Sequence, residues 1–197
     1  MSGVIYTIGY TPYQPEELLR ALQRHGVSCL VDVRSNPHSA HYPAYNAEVF
    51  SRQAAQAGLL YRNYAREFGA RQEDPRFYTE EGYLDFERFI RSEAFLEGVE
   101  KLRRGMAMGY VFALMCAEKD PINCHRAIMI GRGLKDLGFE VRHILGPDGI
   151  ETQAELEQRA IGDQISFFPE AERIEQFYRE QNRRIGYRPA TGQEGSE

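Results

Sequence analysis

The chain has 197 residues, 42% hydrophobic and 27% charged, with a formal net charge of -5, which fits one compact domain with a peripheral extension. This acidic balance disfavours a protein that coats nucleic acid non-specifically, because such binding rests on many Lys and Arg contacts to phosphate; phosphate recognition at a single site stays open. The opening MSGVIYTIGY has no basic segment ahead of an apolar one, and no later stretch approaches the roughly 20 apolar residues of a membrane helix, so the expectation is a cytoplasmic protein with no membrane partner.

Residues 4–8 form a β-branched and aromatic run stopped by Gly9, the pattern of a first strand. In 15–25, Leu18, Leu19 and Leu22 fall at helical spacing, with Pro15 suited to the first turn and Gly26 as the stop. The unit repeats: 28–33 reads as a nearly unbroken apolar strand, Asn46 caps a helix that Gly58 ends, and 59–61 is a weaker third strand. Residues 64–82 are polar, aromatic and irregular, longer than an ordinary connection and therefore functional or lid-like in character. Helical patterns resume over 83–102. The most buried-looking strand is 110–115; Asn123 is placed to cap the helix over 127–137, Gly138 to close it, 140–145 is the last strand, and 146–149 is a turn.

Alternating strands and helices predict an α/β fold: a doubly wound, mostly parallel sheet, Rossmann-like or flavodoxin-like, of about five strands with C-terminal helices. Residues 1–150 form the α/β domain, 151–186 a helical extension packed on it, with helices over 152–160 and 169–184, and 187–197 a disordered tail.

Parallel strands would bring Gly9, Tyr10 and Thr11, then Asp32 and Arg34, then Cys116 and Glu118, and the neighbourhood of His143, to one sheet edge, where α/β proteins bind ligands. The densest stretch is MCAEKDPINCHR, 115–126. Within it, Asn123, Cys124, His125 and Arg126 would open a helix whose free N–H groups favour an anion and lower a thiol pKa; equally, Asn123 can be a simple cap, Cys124 packed, and Arg126 paired with Glu118 or Asp32. Asp32 and Glu118 suit an acid/base pair, or Asp32 an ion pair that pins its loop.

Three cysteines form no disulfide framework and fit a reducing compartment. Cys116 and Cys124 are eight apart; a metal would need His125 and His143 as further ligands, and the close-spaced pair of a zinc motif is missing, so no metal site is assigned and the cofactor stays open. A phosphatase-type thiol loop would place an arginine six residues after Cys116, where Ile122 stands. Cys29 lies inside a strand as a small hydrophobe. After Asp32, Arg34, Ser35 and several tyrosines offer a grip for phosphate and faces for a base.

With these residues in view, the sequence resembles the domain of unknown function 488 family, through YTIGYT at 6–11, LVDVRSNPHS at 30–39, LMCAEKDPINCHR at 114–126 and VRHIL at 141–145. The resemblance spans roughly the first 150 residues. It implies an α/β fold and marks Asp32, Arg34, Cys116, Glu118, Cys124, His125 and Arg126 as signature positions, without a settled reaction. Two departures stand out. Tyr10 and Thr11 replace a usual His-Ser, removing an acid/base histidine near the site, and Phe68-Gly69-Ala70-Arg71 stands where Leu-Gly-Gly-Arg is usual.

The leading expectation is an enzyme that hydrolyses or transfers on a nucleotide or nucleic-acid-derived phosphate ligand. Its catalytic candidates are Asp32, Cys116 and Glu118, and its ligand-binding candidates are Tyr10, Arg34, Ser35, Asn123, Cys124, His125 and Arg126. The alternatives are a thiol redox or metal-binding protein using Cys116 and Cys124, and a non-catalytic nucleotide-binding or nucleic-acid-binding module. Oligomeric state stays open.

Overall fold

In a computed structural model that describes residues 3–146, 149–162 and 167–189, the chain runs β1 (Val4–Gly9), α1 (Pro15–Arg24), β2 (Cys29–Asp32), α2 (Ala47–Gln56) and β3 (Leu60–Asn63). Two short helices follow, α3 (Ala65–Phe68) and α4 (Phe86–Phe89), then the long α5 (Glu93–Ala107) and β4 (Phe112–Cys116). A π-helical segment, Arg126–Gly131, continues into α6 (Arg132–Asp136). Next come β5 (Glu140–Ile144), β6 (Ile150–Thr152), α7 (Gln153–Ile161) and α8 (Glu170–Ile185). No helix of the described residues is long and apolar enough to cross a membrane.

Local chemistry sets these bounds. Pro15 opens α1, where its missing N–H costs nothing, and the Glu17 carboxylate accepts the Gln14 N–H at 2.9 Å. Gly26 and Gly58, at φ +67° and +80°, take the left-handed conformation that ends α1 and α2. The helical stretch expected over 83–102 is two helices, because the Ser92 hydroxyl accepts the Phe95 N–H and starts a new one. Asn123 does not cap the helix after it; its side-chain oxygen accepts instead from Arg184 on α8.

Among the described residues the sheet has six strands, ordered β3-β2-β4-β1-β5-β6. The first five are parallel, and β6 runs antiparallel to β5. The fold is thus the expected doubly wound α/β sheet with one strand more than the five foreseen. That strand is three residues long and ends at Thr152, whose side chain caps α7, so the pattern reads as a helix start.

Strand residues alternate between two cores. Ile8, Leu30, Ala113 and Met115 pack under α1 and α2 with Leu18, Leu22 and Phe50. Ile5, Val31, Leu114 and Cys116 pack on the opposite side with Phe95, Val99, Leu102, Ile128 and Leu134. Strands β1 and β2 both lead to helices of the first face, whereas β4, lying between them, leads to the second. The chain therefore parts on both sides of β4 at its C-terminal end, the arrangement that opens a ligand crevice in such sheets.

The C-terminal helices are fastened through a buried polar chain. His143 on β5 bonds Thr7 Oγ1 at 2.7 Å and Gln153 Oε1 at 2.9 Å; the Gln153 amide donates to the Tyr178 hydroxyl at 2.8 Å, and that hydroxyl donates to Glu157 at 2.7 Å. Tyr187, first residue of the expected tail, is held: its carbonyl accepts the Leu84 N–H at 2.9 Å and its ring receives the Arg71 guanidinium at 4.7 Å. Positions 190–197 of that tail, and 147–148 of the expected turn, lie outside the described residues.

Candidate functional site

Cys116 ends β4 with its side chain on the α5 and α6 face, and the loop that follows turns back so that Cys124 and His125 return to it. Cys116 Sγ lies 3.1 Å and Cys124 Sγ 2.9 Å from the same oxygen, Glu118 Oε2. His125 Nδ1 is 3.8 Å from the first sulfur and 3.9 Å from the second. Both cysteines and His125 are buried, whereas Glu118 stands at the surface with its carboxyl turned inward. Glu118 thus lies between the sulfurs and solvent.

The ring of His125 has a fixed orientation. Its Nε2 is 3.2 Å from the Val33 carbonyl, which can only accept, so the proton on Nε2 is donated there and Nδ1 faces the sulfurs. The Arg126 backbone N–H donates to Cys124 Sγ at 3.5 Å.

Proton affinities in the cluster diverge, which marks a site with acid and base roles. Burial alone would raise the Cys124 thiol, but the hydrogen bond from Cys116, the Arg126 charge and His125 hold it well below the ordinary range. The same bond to Cys124, with burial, pushes Cys116 up. Burial followed by the Cys124 charge raises the Glu118 carboxyl. Burial opposes charge on His125, yet Cys124, Glu118 and the Val33 carbonyl outweigh it and raise the imidazole.

Arg126 is fully buried and serves the loop. Its Nη1 donates to the Glu118 carbonyl at 2.6 Å and Nη2 to the Lys119 carbonyl at 3.0 Å. Two donors are therefore committed to backbone, not presented to an anion, while Nε has no hydrogen-bond partner.

Asp32 belongs to a second group, on the α1 and α2 face, because it alternates with the inward Val31 and Val33 of the other core. It is fully buried, and its carboxylate accepts from Arg34 N at 3.0 Å, Arg34 Nε at 2.9 Å, Arg34 Nη2 at 2.5 Å and Tyr61 Oη at 2.6 Å. That geometry fits the second of the two roles expected for Asp32, an ion pair that pins its loop. Burial works against the Arg34 charge, and Asp32 more than compensates. Arg34 also donates to the Tyr45 carbonyl at 2.8 Å and stacks over the Tyr10 ring, which in turn lies 4.3 Å from the ring of Tyr45. Arg34 Nη1 has no hydrogen-bond partner, although only 7% of the side chain is exposed.

The remaining candidates lie apart. Ser35 Oγ accepts the Arg71 N–H at 2.8 Å and borders an open cleft of about 950 Å³, also lined by Arg71, Tyr78, Tyr187 and Arg188. Exposed Asn123 is turned to α8. His143 stands in the buried chain on β5, apart from the thiols, and Cys29 is buried inside β2 with its thiol pushed up to about 11 by that burial. Sequence reasoning missed the Val33 carbonyl and the Glu118 and Lys119 carbonyls, because backbone acceptors leave no residue signature. It also missed Gln153 and Tyr178, for which the Thr152 and Glu155 capping pair was the available signal.

The family described as Domain of unknown function DUF488 matches residues 14–132, more than half of the chain. That span contains Asp32, Arg34 and the whole thiol cluster. No curated protein and no solved structure matches the sequence.

Proposed function

The chain belongs to the DUF488 family, and we propose that it is an enzyme that hydrolyses, or transfers a group on, a nucleotide or nucleic-acid-derived phosphate ligand at the C-terminal edge of the sheet. One observation carries this reading: a surface carboxyl, Glu118, turned onto two buried thiols, with its Oε2 2.9 and 3.1 Å from the sulfurs, where the chain parts around β4. A carboxyl so placed takes a proton from an attacking water and returns it to the leaving group. The ligand class is supported by the Tyr10 and Tyr45 rings beside Arg34, whose Nη1 lacks a partner at a nearly closed site. Three cysteines without a disulfide among the described residues suit the reducing cytoplasm.

The test is a turnover and binding panel of nucleotides, nucleotide sugars and short oligonucleotides. Glu118→Gln is expected to lower turnover by about 100- to 10,000-fold while leaving ligand affinity nearly unchanged. Equal turnover by this variant removes the proposal. Fast alkylation of Cys124 at neutral pH, with no turnover anywhere on the panel, supports a thiol redox protein instead.

A further inference from the structure

We infer that Cys116, Cys124 and His125 form a binding site for a zinc-class divalent cation whose fourth position, under Glu118, is open to water. The inference deepens the hydrolytic reading and takes its meaning for catalysis from it; the binding site itself stands on geometry alone.

The three ligand atoms lie within 4.8 Å of one another. With metal–sulfur distances near 2.3 Å and metal–nitrogen distances near 2.0 Å, a tetrahedral site separates sulfur from nitrogen by about 3.6 Å. The observed separations are 3.8 and 3.9 Å. On both sulfur–nitrogen sides an ion therefore asks for movements of a few tenths of an ångström, and the two sulfurs lie within the same 4.8 Å. Two thiolates and an imidazole are a donor set that zinc-class ions prefer over magnesium or calcium.

The surroundings match what metal ligands require. A ligating histidine donates its other N–H to a fixed acceptor, and His125 gives its Nε2–H to the Val33 carbonyl while Nδ1 faces both sulfurs. The Arg126 N–H points at Cys124 Sγ, a donor that steadies a thiolate, free or metal-bound. The guanidinium of Arg126 is turned to the loop carbonyls.

Glu118 completes the arrangement. It sits on the solvent side of the sulfurs, as a group that handles the proton of a metal-bound water would. Three protein ligands, one open position and a neighbouring carboxyl outside the ligand set make up the chemistry of a hydrolytic zinc centre, including that of enzymes acting on nucleobases. On binding, each thiol that still carries a proton releases it to solvent, and the cation takes its place; no electron transfer is involved.

The experiment uses the full chain, reduced, stripped of metal with a chelator and titrated with zinc, with cobalt as a spectroscopic stand-in. One ion per chain is expected, with a thiolate-to-cobalt charge-transfer band and the visible absorption of tetrahedral cobalt. Cys116→Ser, Cys124→Ser and His125→Ala should each weaken binding by more than about 100-fold, whereas Glu118→Gln should keep the metal. Because a ligand variant can fail to fold, the unmodified protein supplies a second readout: zinc should slow the reaction of Cys116 and Cys124 with a thiol reagent and leave buried Cys29 unchanged.

Absence of zinc binding at micromolar concentration, or binding that Cys124→Ser leaves intact in a folded protein, overturns the site. Loss of the metal in Glu118→Gln overturns the open position. Failure to bind zinc, together with turnover that depends on Glu118, sinks this inference while the hydrolytic reading stands. Stoichiometric zinc with no turnover does the reverse.

Discussion

Gly9 and Glu118 meet backbone to backbone: a β-carbon at position 9 would overlap the Glu118 carbonyl oxygen. The same oxygen accepts from Arg126 Nη1 at 2.6 Å, so the end of β1, the loop after β4 and the buried arginine are locked at one atom. Gly9→Ala should push the Glu118 backbone outward and lift its carboxyl from the thiols. The expected cost is about 1–3 kcal/mol of stability, as for other overpacked positions, together with loss of the Glu118-dependent turnover. Urea unfolding and the activity panel measure the two effects; a variant with wild-type stability and turnover would show that the contact is slack.

The Asp32 and Arg34 pair is closed from solvent on both sides. Asp32→Asn keeps the shape but leaves the Arg34 charge buried without its counter-ion, a change that costs about 3–5 kcal/mol when one partner of a buried pair is removed. The midpoint of denaturant unfolding should fall accordingly. If the variant keeps full stability and loses turnover alone, Asp32 has the reacting role that its hydrogen bonds argue against.

The parity of β2 and β4 explains what the sequence revealed and what it hid. Strands and their helices were legible because apolar runs, cap residues and glycine stops coincide, as at Pro15, Gly26 and Gly58. The convergence of Cys116, Glu118, Cys124 and His125 was legible as one dense stretch. The face of each residue was harder to read, because Asp32 and Cys116 end neighbouring strands yet project to opposite sides, which depends on register: Asp32 aligns with Met115, one residue short of Cys116. Arg126 looked like an anion ligand because its actual partners are carbonyls, present in every residue. His143 looked like a metal ligand because nothing local announces Thr7, 136 positions away, or Gln153 as its partners.

Tyr178→Phe tests the attachment of the C-terminal helices. The hydroxyl both accepts from the Gln153 amide and donates to Glu157, so its removal strips one buried donor and one buried acceptor together. A loss of about 1–3 kcal/mol is expected, with α7 and α8 becoming more susceptible to limited proteolysis while zinc binding at the thiol cluster is unchanged. Proteolysis at the wild-type rate would mean that Phe177 and Tyr178 hold the helices by apolar contact alone.

His143 should give the fold an acid limit of its own. Burial, reinforced by the Arg126 charge, lowers its pKa from 6.5 to about 3, although Gln153 and the Cys124 charge act the other way and Arg159 adds a further lowering. Between those two values the unfolded chain binds a proton that the folded chain refuses, so stability falls as pH drops below about 6.5 and continues falling toward about 3. The slope for one such group is about 1.4 kcal/mol per pH unit. Other carboxylates titrate in the same window, so the measurement is a comparison: free energies of urea unfolding at pH 7 and pH 5 for the wild type and for His143→Gln, which cannot take up the proton. The wild type should lose about 2 kcal/mol more than the variant over that interval. Equal losses would mean that His143 is already protonated in the folded state, and its Nδ1, now read as the acceptor of the Thr7 hydroxyl 2.7 Å away, would then have to be a donor.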